Sequence, residues 1–69
     1  MYTRTGITLL VGARFEAGLT QAELAAAVHS TRKTVWAIEQ HRCVPSVSLA
    51  LAIARALDRD VESLFGSER

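Results

Sequence analysis

Apolar side chains recur at helical spacing along most of this chain, and the clearest instance is the stretch 20–40, TQAELAAAVHSTRKTVWAIEQ. Leu24, Ala25 and Val28 share one helical face, at spacing i, i+1, i+4. His29 and Ser30 break the pattern, and Val35 and Ile38 then form a narrow second stripe. The spacing predicts two short helices, 21–28 and 32–41, joined by a tight turn. Thr20 is the expected N-cap of the first, because its hydroxyl can accept a bond from a free backbone N–H. Glu23, three residues on, completes a capping box. Thr31 offers the second N-cap.

The same reading covers the flanks. A first helix is expected over 7–17, with Leu10 and Ala13 inward and a stop at Gly18, a glycine just past the helix end. Gly12 weakens this helix and reads as room for close packing. Pro45 and Ser46 open a helix over 47–57, with Ser46 as N-cap. Leu49, Ala50, Ile53, Ala54 and Leu57 form its core face, and Val47 and Leu51 point elsewhere. Asp60 then caps a short last helix carrying Val61, Leu64 and Phe65. Residues 1–6 read as a loose arm in which Arg4 could touch a phosphate, and the tail as frayed. No alternating apolar and polar run of strand length occurs, so the fold class is all-α.

The outward side of 32–41 carries Arg32, Lys33, Trp36, Ala37 and Gln40. A helix anchored on one face that shows cations, a ring and an amide on the other suits a DNA groove. The sequence resembles the Cro/C1-type (XRE) helix-turn-helix family of DNA-binding regulators. The residues that carry the resemblance are Gly18-Leu19-Thr20-Gln21, Glu23-Leu24-Ala25, Thr31-Arg32, Thr34-Val35, Ile38-Glu39, Pro45-Ser46, Leu49-Ala50, Ile53-Ala54, Leu57 and Leu64-Phe65. They span nearly the whole chain.

That resemblance implies a five-helix lambda-repressor-like domain with the helix-turn-helix at the second and third helices. By correspondence, Arg32, Lys33 and Ala37 meet base edges. Arginine and lysine can contact guanine O6 and N7, and the alanine methyl a thymine methyl. Gln21, Thr34, Gln40 and Arg42 set register on phosphates, with a part in the helix cap as the other role for Thr34. Gln21 stands in a first turn, where the helix dipole favours an anion. Arg14 is expected to pair with Glu39 and so tie the first helix to the third. Trp36 points outward. Packing on a sugar or thymine methyl, contact with another protein, or folding back on the domain would each account for it. His29 and His41 stand where relatives carry glycine, so φ > 0 is expected there, with some strain. A pH-dependent phosphate contact is the alternative role for either histidine. Ser30 replaces an apolar residue that plugs the core in relatives. The resemblance also implies two copies of the chain on a palindromic double-stranded operator.

Composition refines this picture in a few places. The formal net charge is only +1 over 69 residues, but it is polarised. Arg32, Lys33 and Arg42 face Glu39 in the middle, and Asp58, Asp60, Glu62 and Glu68 outnumber Arg59 near the end. A basic middle fits phosphate contact, and an acidic end should point away from DNA. A chain this short buries a modest fraction of its surface, so a homodimer or a fused partner domain is expected. Cys43 is the one cysteine, which rules out an internal disulfide and suits a reducing cytoplasm. It reads as inert, without a cationic nest. The apolar run 6–13 is too short to span a membrane and nothing after it resembles a signal cleavage site, so neither membrane insertion nor export is expected.

Enzyme readings find no footing. His29, His41 and Cys43 are too few for a closed metal site. No phosphate-cradling glycine loop or nucleophile elbow is present, and no cofactor or small-molecule ligand is indicated. Two other functions stay open: a protein-interaction module of the same fold, antitoxin-like, using Trp36 with a Leu51/Phe65 patch, and the DNA-binding piece of a longer ligand-responsive regulator.

Overall fold

The computed structural model describes residues 9–65, and these form five helices in the order α1 (Leu9–Glu16), α2 (Gln21–Ala27), α3 (Arg32–Glu39), α4 (Val47–Leu57) and α5 (Val61–Phe65). The expectations for the arm, Arg4, the 66–69 tail and Glu68 lie outside the described residues. Among the described residues there is no strand.

The starts of α2 to α5 are each set by a side chain that accepts a backbone N–H. Thr20 Oγ1 accepts from Glu23 N at 3.0 Å, and the Glu23 carboxylate accepts from Thr20 N at 2.9 Å, the reciprocal pair of a capping box. Thr31 Oγ1 accepts from Thr34 N, Ser46 Oγ from Leu49 N and Asp60 Oδ1 from Ser63 N. Each bond satisfies an N–H that the helix itself leaves unpaired.

The ends share one device. At each of the first four helices a residue with φ between 57° and 76° turns the chain back: Gly18, His29, His41 and Asp58. The following residue's N–H then reaches a carbonyl five positions earlier, as Leu19 to Arg14, Ser30 to Ala25, Arg42 to Ala37 and Arg59 to Ala54. This is the Schellman closure, which satisfies the orphan carbonyls of a helix end. Glycine takes that conformation freely, whereas an L-residue meets its own Cβ, about 1–2 kcal/mol for an ordinary side chain. Three of the four closures therefore carry strain.

The third closure corrects the expected end of α3. His41 belongs to the turn, so the helix stops at Glu39, with Gln40 as its C-cap. The close-packing reading of Gly12 finds no support among the described residues, where a Cβ added there would meet nothing within 4 Å.

Leu10, Ala13, Leu24, Ala25, Val28, Val35, Ile38, Ile53, Ala54, Leu57 and Leu64 build one core. Leu24, Val35 and Ile53 are the large side chains most fully enclosed. α2 packs chiefly on α3, while α5 lies against α1 and α4. Leu49, Val61 and Phe65 pack on the rim of the core, and Val47 and Leu51 stay in solvent. Val11 is buried as well.

Candidate nucleic-acid interface

α3 is held from one side only. Val35 and Ile38 insert into the core from a helix whose other side carries exposed Arg32, Lys33, Trp36 and, just past its end, Gln40. Ala37 is half-buried beside them. Among the described residues neither Arg32 nor Lys33 has a carboxylate partner. The inner side also buries charge. Arg14 and Glu39 are only 7% and 3% exposed. Arg14 Nε donates to Glu39 Oε2 at 2.6 Å and Nη2 to Oε1 at 3.1 Å, a fork-to-fork pair. Arg14 Nη1 donates to Leu19 O at 3.0 Å.

A further bond was not legible in the sequence: Gln21 Nε2 donates to Glu39 Oε1 at 2.9 Å. One carboxylate thus gathers α1, the start of α2 and the end of α3. Among the described residues every buried side-chain nitrogen and oxygen has a partner, so the network carries no orphaned group. Because its amide N–H is committed inward, Gln21 is held on the domain, with its carbonyl oxygen and second N–H left for other use.

Gln21 and Arg32 line an open groove of about 580 Å³ that runs past the α1–α2 turn. Thr34 is half-buried, and its hydroxyl accepts from the Thr31 hydroxyl at 3.0 Å, so it takes part in the cap. Arg42 is exposed, with its Cζ 5.8 Å from the centre of the Trp36 ring. The structure therefore brings Arg32, Lys33, Trp36, Ala37 and Gln40 onto or next to one side of α3, with Gln21 bonded to Glu39 at the helix end and Arg42 just past it.

The chain matches the family described as helix-turn-helix domain over residues 9–64. It belongs to that helix-turn-helix family. Similar proteins include an uncharacterized HTH-type transcriptional regulator of Methanothermobacter thermautotrophicus, 51% identical over 59 residues, covering 84% of this chain and 86% of the relative. The uncharacterized HTH-type transcriptional regulator YgzD of Bacillus subtilis is 45% identical over 56 residues, covering 81% of this chain and 82% of the relative. In this helix-turn-helix protein the two motif helices are α2 and α3, and His29 makes the turn between them.

Among the described residues no group of three or more His, Cys, Asp or Glu side chains is placed to hold a metal ion, and no helix is long and apolar enough to cross a membrane. Cys43 is free and exposed.

Proposed function

We propose that this helix-turn-helix protein is a sequence-specific, repressor-like transcriptional regulator of the Cro/C1 (XRE) type, acting in the cytoplasm on double-stranded DNA. Its work is binding, with no catalytic step, cofactor or small-molecule ligand. α3 enters the major groove, where Arg32, Lys33 and Ala37 read base edges and Trp36 packs its edge on the groove wall. Gln21, Thr34, Gln40 and Arg42 take phosphates and so set register.

The observation that carries this reading is the division of α3. Val35, Ile38 and the Arg14–Glu39–Gln21 network fix the helix from behind, while its cations stand in solvent without a carboxylate partner among the described residues. A rigid helix with unneutralised cations on its free side matches the charge and width of the groove. We take the regulator to bind as a homodimer, whose two-fold symmetry calls for a palindromic site.

For the reading as a protein-interaction module, Leu51 is exposed but Phe65 is only partly so, packed against the core.

Selection of bound duplexes from a random pool tests the proposal. The expected outcome is an enriched sequence with two related half-sites about one helical turn apart. A pool that emerges as random as it entered overturns sequence-specific binding.

A further inference from the structure

We propose that Trp36 is a positioning residue for Arg42: the indole holds the guanidinium beside the end of α3, in the pose from which it meets a backbone phosphate. This rests on the DNA-binding reading above and assigns a division of labour within it.

The geometry begins with the main chain. His41 takes φ 61° and turns the chain back on α3. Arg42 N–H then donates to Ala37 O at 2.8 Å, which fixes the residue over the helix's last turn and a half. From there the Arg42 side chain reaches Trp36, with Cζ 5.8 Å from the ring centre. That separation lies within the range of cation–π attraction. Trp36 is 40% exposed, so the ring is neither absorbed by the core nor free of neighbours.

The chemistry of the two partners is compatible with a third. A guanidinium attracted to a ring can keep N–H donors for a phosphate, which it binds through its fork. An unrestrained arginine loses much rotamer freedom when it docks, and a ring that restricts it beforehand lowers that cost. Among the described residues no carboxylate competes for Arg42. Arg32 and Lys33 have no such aromatic neighbour among the described residues. The exposed cation just past the end of α3 is therefore the one that is held in advance.

Trp36 is uncharged, so replacing it can change the salt dependence of DNA binding only through a charged group. That gives a readout that a ring merely touching sugar would not move. Binding to a short mixed-sequence DNA duplex is measured across a range of salt for the wild type, Trp36→Leu, Trp36→Tyr, Arg42→Ala and the Trp36→Leu/Arg42→Ala double variant. Arg42→Ala should lower the salt slope by about one. Trp36→Leu should lower it in the same direction, and Trp36→Tyr, which keeps a ring, should restore it. Removing Arg42 should cost roughly two- to fivefold less affinity in the Trp36→Leu background than in the wild type.

Trp36 is the one tryptophan in the chain, so its emission reports this site alone. In the DNA-free protein, Arg42→Ala should shift that emission, a result that needs no Trp36 variant to fold. Wild-type protein that binds the duplex, with additive effects, an unmoved slope in Trp36→Leu and unmoved emission in Arg42→Ala, overturns the pairing alone. Wild-type protein that ignores the duplex at low salt overturns the DNA reading, and with it the role given to the pair.

Discussion

The two sides of α3 handle charge in opposite ways. Inward, Glu39 is enclosed and accepts bonds from Arg14 and from Gln21, so each charge is neutralised by the fold itself. Outward, Arg32 and Lys33 stand exposed with no carboxylate partner among the described residues. The helix carries both kinds of charge within eight residues. The contrast teaches that charge alone does not mark a binding surface. What marks it is charge left unanswered on an element that buried contacts already hold in place. Substitutions on the inner side should therefore be read in stability, and those on the outer side in binding.

The largest effect is expected inside. Glu39→Ala strands a buried guanidinium and should destabilise the domain by about 3–5 kcal/mol. Chemical denaturation would measure it. Replacing both partners with apolar residues, Arg14→Met with Glu39→Leu, should regain much of that loss, because no uncompensated charge then remains. If the double replacement is as damaging as the single one, the network matters for more than neutralisation.

Outside, Lys33→Ala should leave the denaturation midpoint unchanged and cost about 1–3 kcal/mol of binding to a selected duplex, with relaxed preference at one base position. Uniform weakening across all sequences would move Lys33 from base reading to phosphate contact. Arg42→Ala, in contrast, should weaken all sequences alike and reduce the salt slope by about one, as expected for a phosphate contact.

The smallest effects concern backbone conformation and leave the charges on both sides of α3 in place. His41→Gly relieves a left-handed histidine and should add about 0.5–1 kcal/mol of stability, after the extra entropy of glycine in the unfolded chain is subtracted. Gly12→Ala should add about as much, since among the described residues the new Cβ meets nothing within 4 Å. Thermal denaturation reads both.

The starts of α2 to α5 were legible because each is written locally. Thr20, Thr31, Ser46 and Asp60 carry an oxygen that bonds a backbone N–H three residues on, and no distant part of the chain is needed to recognise them. Residue type alone announced a helix end at Gly18; the end of α4 at Leu57 was read from its apolar stripe, and the left-handed turns at His29 and His41 only from the resemblance. His41 performs the same closure as Gly18 with a side chain seldom found there, and α3 consequently read as two residues too long. Within the interface, the outward set on α3 follows from helical period. The Gln21–Glu39 bond does not, since it joins residues eighteen apart across two helices. Nor does the approach of Arg42 to Trp36, which depends on how tightly the chain turns at His41. The burial of Val11 was missed because Leu9, Leu10 and Val11 are consecutive apolar residues, and a run without gaps gives no phase.

The most direct test follows backbone amide signals of nitrogen-labelled protein by NMR while a selected duplex is added. The predicted result is that signals of Arg32, Lys33, Trp36 and Ala37 move together with those of Gln21 and Arg42, while those of Val47 and Leu51 stay where they were. Movement confined to Val47 and Leu51, or no movement at all, would contradict the assignment of the outer side of α3 to DNA.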